Sequence, residues 1–406
     1  MKKTNVLYIS IIGMSEPLGK SQVLEYLQDL SMEYNMSLYT FEKSLDSDTL
    51  LEIQKTMDQY GIDWSYQFYS NKYGVFTTVQ QIISSVLTLK KLVKNKKIKI
   101  IHARSMIPVL IALVLKTMNK VKVLFDIRGF QIDEKAEIGR IKHTSFLYKT
   151  LKFLESYAYR KSDSVVTLTH ASKKMIDEIT EPEKVTVIPT CANRNVFKVI
   201  SEKEKEEFKK SLGYLITDKI IIHAGTVSNW YDFDSELLLM QNLMQKDKRI
   251  HFLILNKGEH EFIAQKLNEY DLDASRVKVT EVNFYEMYKY LNIAAASLFI
   301  IKPTFSKTAS APTKFAENLA CALFSITNNG IGDMDTFFVE HPDVGYSFDV
   351  EEIKTSIDII SDNIFMHLNN EKQEFGSYGE LYDKYLSKEM AIEKYSAIYN
   401  ALTKEK

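Results

Sequence analysis

Ile98-Lys-Ile-Ile-His102-Ala-Arg104-Ser105, then Met106-Ile-Pro-Val-Leu-Ile-Ala-Leu-Val-Leu115-Lys-Thr-Met118, then Val121-Lys-Val-Leu-Phe125-Asp126-Ile-Arg128-Gly129-Phe130: this stretch decides the fold. Two short apolar, β-branched runs, Ile98–His102 and Val121–Ile127, flank a longer apolar segment, Ile107–Met118. Runs of the first kind read as buried strands and the segment between them as a helix, which is a βαβ unit of a parallel sheet. The unbroken apolar run Met106 to Leu115 is about half of the ~20 residues that cross a bilayer, so a buried helix is expected.

The same alternation runs outward in both directions. In the first half the other expected strands are Val6–Ile12, Met36–Phe41, Ser164–Leu168 and Val185–Ile188. Expected helices are Ser21–Glu33, Val79–Val93, His143–Tyr159 and Ala171–Ile179. In the second half, strands are expected at Ile220–Ala224, Phe252–Leu255, Val277–Val282, Ser297–Ile301, Phe324–Thr327 and Val344–Phe348. The helices between them include Ser235–Gln245, Glu261–Asn268, Tyr285–Ile293 and Thr313–Cys321. The pattern is α/β, with two doubly wound Rossmann-like domains in tandem. At 406 residues the chain suits two domains. The boundary is expected near Pro189–Lys198, giving domains 1–190 and 191–380, followed by a helical tail within 381–406.

Lys plus Arg is 52 and Asp plus Glu is 53, a net charge of -1, so nucleic acid is not an expected partner. The charge is split unevenly. Residues 1–190 hold 27 basic and 20 acidic side chains, and the remainder 25 and 33. A first domain of +7 beside a second of −8 suggests that the first meets an anionic partner. Lysines 90, 91, 94, 96, 97 and 99, with the apolar spacing of His143–Tyr159, suggest an anionic membrane surface. The two cysteines, Cys191 and Cys321, lack partners at metal-site spacing, which points to a reducing compartment. No signal peptide is read at the N-terminus, and a cytoplasmic protein is expected, peripheral at the inner face of the cell membrane.

Five segments carry chemistry. Gly13-Met-Ser15-Glu-Pro-Leu-Gly19-Lys-Ser follows the first strand. A phosphate-binding P-loop needs four residues between its glycines and this loop has five, so a ligand loop at the sheet's carboxyl edge is the better reading. His102-Ala-Arg104 and Asp126-Ile-Arg128 stand where strands end, and a buried arginine there needs either a carboxylate or a ligand. Gly225-Thr226 opens a loop after the first strand of the second domain, and the glycine permits close backbone approach. In Lys302–Ala320, a polar loop bearing Lys307 and Ser310 leads through Pro312 into a helix starting with Thr313 and Lys314. Free N–H groups and the helix dipole there suit a diphosphate, and Ser310 or Thr313 can cap. Glu317, one turn in, can accept hydrogen bonds from a vicinal diol such as a ribose.

Taken in order, these residues resemble glycosyltransferase family 4, the "group 1" bacterial enzymes. The resemblance rests on Gly13 with Pro17-Leu18-Gly19-Lys20-Ser21, on His102-Ala-Arg104-Ser105, on Phe125-Asp126-Ile127-Arg128-Gly129-Phe130, and on Val187-Ile188-Pro189. It continues through Gly225, Lys307–Glu317 and Gly330-Ile-Gly332-Asp333. It implies a GT-B fold of two facing domains with a cleft between them, and a final helix crossing back to the first domain. It also implies a metal-independent, retaining transfer with no cofactor beyond the nucleotide-sugar co-substrate, expected to be a UDP-sugar. Gly225, Thr226, Lys307, Ser310, Thr313, Lys314 and Glu317 would bind the donor. Gly13, Ser15, Gly19 and Arg104 would bind a glycan or lipid-linked acceptor, Arg128 and His102 would be catalytic, and no residue would hold a metal. The chain departs from the family at Ala309, where a first glutamate is usual. It departs again after Gly225, where an Arg and a Lys are usual, and at Arg128, where a His is usual. A sugar-nucleotide epimerase of the same fold and a non-catalytic partner subunit are the competing readings.

Overall fold

The computed structural model describes residues 3–70, 72, 74–369 and 375–404. The chain divides into two compact units, one of Met1–Pro189 with Ala391–Lys406 and one of Thr190–Met390.

The first unit is built on seven strands: β1 (Asn5–Ser10), β2 (Asn35–Glu42), β3 (Asp63–Phe68), β4 (Ile100–Arg104), β5 (Lys122–Asp126), β6 (Ser164–Thr167) and β7 (Val185–Val187). They pair in the order β3-β2-β1-β4-β5-β6-β7, all parallel. Every β4 residue is buried, as expected of a central strand covered on both faces. β3, at the sheet's edge, has no buried residue and was not among the expected strands. The register sets Ser10 beside Arg104 and Arg104 beside Asp126 along the carboxyl edge.

The second unit holds β8 (Lys219–Ala224), β9 (Ile250–Leu255), β10 (Val277–Thr280), β11 (Ala296–Leu298), β12 (Phe324–Asn328) and β13 (Gly345–Phe348). Their order is β10-β9-β8-β11-β12-β13, again parallel. Alternate residues feed two cores. Ile220, Ile222, Leu253 and Leu255 pack on one side, and Ile221, Phe252 and Ile254 on the other. This two-sided burial is why the strands read as continuous apolar runs.

The tail forms a π-helical turn, Tyr382–Leu386, and a helix, Lys388–Thr403. From Ala391 onward it packs in the first unit, where the Tyr34 hydroxyl donates to Asn400 Oδ1 at 3.2 Å. Among the described residues no helix is long and apolar enough to cross a membrane.

Candidate functional site

At the carboxyl edge of the first sheet, Asp126 is fully buried at the centre of a charged cluster. Arg104 lies 3.6 Å from its Oδ2 and Arg128 lies 3.7 Å from its Oδ1. The Tyr395 hydroxyl donates to Oδ2 at 3.2 Å. Burial alone would raise the Asp126 pKa, but Arg128, the His102 hydrogen bond and Arg104 outweigh it and hold the carboxyl well below its usual range. His102 is 1% exposed, with Nδ1 2.7 Å from the Tyr399 hydroxyl and Nε2 3.4 Å from Asp126 Oδ2. Burial lowers the His102 pKa against the pull of Asp126, so the ring is neutral and both nitrogens are engaged. His102, expected to be catalytic, thus sits inside the sheet with its ring between Tyr399 and Asp126. Burial likewise pushes the Tyr8 hydroxyl up to about 12. Ser105, between β4 and the next helix, adopts φ 78 and ψ 178, a conformation nearly confined to glycine. Such strain collects at functional sites.

Glu42, at the end of β2, explains the Gly13–Gly19 loop. Its buried carboxylate accepts from Met14 N at 2.8 Å, Ser15 N at 3.2 Å, Ser15 Oγ at 2.9 Å and Thr40 Oγ1 at 2.7 Å. A Cβ on Gly13 would lie 2.3 Å from Glu42 Oε2, and a Cβ on Gly19 would lie 1.9 Å from the Gly13 carbonyl oxygen. The glycines are thus required by packing. The loop's inward N–H groups serve an internal carboxylate, which is the physical reason it is no P-loop. The helix after it begins with a π-helical segment, Lys20–Leu24, a feature frequent at functional sites.

In the second unit, the loop after β8 is tied down by a second internal carboxylate. Glu259 Oε2 accepts from Val227 N at 3.0 Å and Asn256 Nδ2 at 2.7 Å. Burial would raise its pKa, but hydrogen bonds from Ser228, Thr226, Val227 and Asn256 bring it down to about 2. His223, buried in β8, contacts Glu236 Oε2 at 2.7 Å and the Thr226 carbonyl oxygen at 3.0 Å. Neither Glu42 nor Glu259 stood out in the sequence, because each is joined to its loop only by tertiary contact.

The segment after β11 brings the two expected lysines to this loop. Lys307 is buried, with Nζ 3.6 Å from the centre of the Trp230 ring. Its carbonyl oxygen accepts from Gly332 N at 2.9 Å, joining this turn to the Gly330–Asp333 loop. Lys314 Nζ lies 3.8 Å from the centre of the Tyr231 ring, is buried and makes no hydrogen bond among the described residues. A Cβ on Gly225, whose φ is +112, would lie 3.2 Å from Lys314 Cε, so the glycine admits this lysine. The N-cap of helix Thr313–Ala320 is Pro312, and no side chain caps it. The expected capping by Ser310 or Thr313 is thereby corrected: proline fixes the entry and leaves the first N–H groups to other acceptors. Burial pushes the Glu317 carboxyl up to about 7, with Lys314 pulling the other way. Ala309 is buried and offers no polar group. Gly225, Thr226, Lys307, Ser310, Thr313, Lys314 and Glu317 all lie on the loops and helix start at the carboxyl edge of the second sheet.

Residues 32–195 match the sequence model of the family described as Glycosyltransferase Family 4. No curated protein matches the sequence. Over its whole length the fold is similar to a glycosyltransferase from Rickettsia africae ESF-5, at 14% identity and TM-score 0.71, covering 100% of both chains. It is also similar to Anabaena HepE in complex with UDP and glucose, at 12% identity and TM-score 0.66, covering 97% of this chain and 99% of that one. A UDP-N-acetylglucosamine 2-epimerase matches at 12% identity and TM-score 0.58, covering 100% of this chain and 98% of that one. The chain thus has the two-domain GT-B fold of these structures, and its residues 32–195 match Glycosyltransferase Family 4 by sequence.

Proposed function

We propose that the protein is a glycosyltransferase that takes a sugar from a nucleotide-sugar donor held by the second unit and passes it to a glycan or lipid-linked acceptor. One observation carries the reading: Lys314 Nζ is buried beside Gly225 at a helix start with no side-chain cap, and has no hydrogen-bond partner among the described residues. The Tyr231 ring and the nearby Glu317 carboxyl offset part of the cost of burying this ammonium, and its hydrogen-bond donors are left for an anion. A nucleotide diphosphate is the anion that the fold and family resemblance suggest. Lys314, Lys307 and the free N–H groups at the start of helix Thr313–Ala320 stabilise its negative charge as the sugar–oxygen bond breaks. Glu317 receives the ribose hydroxyls. The acceptor hydroxyl attacks the sugar carbon, and its proton passes to the departing diphosphate oxygen, a retaining transfer that uses no metal. Arg104 and Arg128, oriented by Asp126 and His102, bind the acceptor side together with the Gly13–Gly19 loop.

The test is product analysis of the purified chain with UDP-, GDP-, ADP- and dTDP-sugars, with and without a saccharide-diphosphate lipid, in EDTA. Release of a nucleoside diphosphate with growth of the acceptor is expected. An isomerised nucleotide sugar formed without acceptor would favour the epimerase. Turnover that EDTA abolishes and Mg²⁺ restores would overturn the metal-free mechanism.

A further inference from the structure

Between Asp63 and Asp126 the sequence holds eleven Lys or Arg and no Asp or Glu, and of these Lys96, Arg104, Lys116 and Lys122 pair with Asp63, Asp126 and Asp163. Within this stretch, helix Val75–Asn95 buries Thr77, Ser85, Val86, Leu89 and Val93 against the first unit. Its opposite side turns apolar groups to solvent: Phe76 is 73% exposed, Ile83 56% and Leu87 64%, with Val79 between them. Spacings of three and four residues put the four on one face. The exposed residues beside them, Gln80, Ser84 and Thr88, are uncharged, and the face ends in Lys90, Lys91 and Lys94. This helix packs against Met106–Met118, which packs against Phe146–Lys161. The connections β3→β4, β4→β5 and β5→β6 run the same way across the sheet, so right-handed crossovers put all three helices on one side. The third helix adds exposed Phe146 and Phe153.

We propose that this side of the first unit docks on an anionic lipid bilayer, with helix Val75–Asn95 as the leading element. Its apolar face enters the headgroup boundary while the lysines meet lipid phosphates. Charge selects this occupant: a second copy would bring the exposed Lys90, Lys91 and Lys94 against their own counterparts, whereas an anionic bilayer complements them. The inference does not rest on the transfer reaction, and its test needs neither donor nor acceptor.

The full chain is sedimented with vesicles of phosphatidylcholine alone and with increasing phosphatidylglycerol, over a range of salt. Binding that rises with phosphatidylglycerol and falls with salt is expected. Phe76→Gln/Ile83→Gln should lose binding, and Lys90→Ala/Lys91→Ala/Lys94→Ala should weaken it by about fivefold per lysine. These side chains are exposed, so both variants should melt as the parent does. A parent chain that stays in the supernatant at low salt overturns the proposal, as do folded variants that bind undiminished. A parent chain that ignores vesicles and forms a dimer split by Phe76→Gln/Ile83→Gln would assign the face to self-association instead.

Discussion

The Lys314 ammonium rests 3.8 Å from the centre of the Tyr231 ring, and Lys307 rests in the same manner on the neighbouring Trp230. An aromatic face attracts a cation by ~0.5–2 kcal/mol, enough to hold it in place and less than a diphosphate would supply. On the proposed function, the two rings hold the two lysines where a donor would meet them.

Trp230 should therefore report donor binding. The chain has two tryptophans, so Trp64→Phe leaves Trp230 as the sole tryptophan, read selectively by excitation at the red edge where tyrosine does not absorb. Titration with UDP should change its emission saturably as Lys307 turns toward phosphate. Emission that stays constant while UDP binds would show that Lys307 does not move.

Glu317 gives a pH signature. Its folded pKa of about 7 lies above the ordinary 4.5 because burial opposes the charge. Between those values the folded state holds more protons than the unfolded state, so stability falls as pH rises through that window. Glu317→Gln removes the titration. Its melting temperature relative to the parent should climb from pH 4.5 to 7 and level off above. A difference that does not vary with pH would place the carboxyl in water.

Both sheets were legible in the sequence because their central strands are buried on both faces and read as apolar runs. β3 escaped for the opposite reason: Asp63-Trp-Ser-Tyr-Gln-Phe68 is an edge strand with no buried residue. Arg104 and Arg128 could be picked out because each is a polar group at the end of an apolar run, and Lys307, Lys314 and Glu317 because a polar loop leads through Pro312 into the first turn of a helix. Their partners could not. Asp126 is joined to Tyr395 across 269 positions and His102 to Tyr399 across 297, distances over which no local pattern operates. The same holds for Glu42, which meets Met14 and Ser15 across 28 and 27 positions.

Asp126→Asn should destabilise the first unit. It leaves Arg104 and Arg128 without their buried counter-charge, a loss of about 3–5 kcal/mol. The Asp126 pKa is depressed, so its contribution is present above the unfolded value of 3.8 and fades as pH falls below it. Urea unfolding at neutral pH reads the loss, and a change under ~0.5 kcal/mol, ordinary for a surface substitution, would show that the cluster is not held by this charge.

Gly19→Ala should disturb the loop at Gly13. The added methyl would fall 1.9 Å from the Gly13 carbonyl oxygen, and overpacking of this kind costs ~1–3 kcal/mol. Acceptor KM should rise while donor affinity, housed in the other unit, stays constant. An unchanged acceptor KM in a folded variant would remove this loop from the acceptor site.

Calorimetry of UDP and UDP-sugar binding in EDTA tests the central claim most directly, on the parent chain, Lys314→Ala and Glu317→Ala. The parent should bind one nucleotide without metal. Each variant should stay folded and bind roughly 10–150-fold more weakly, the equivalent of a charged hydrogen bond of about 1.5–3 kcal/mol. A parent chain that binds neither UDP nor its GDP, ADP and dTDP counterparts, or folded variants that bind as tightly as the parent, would contradict the assignment of the donor site.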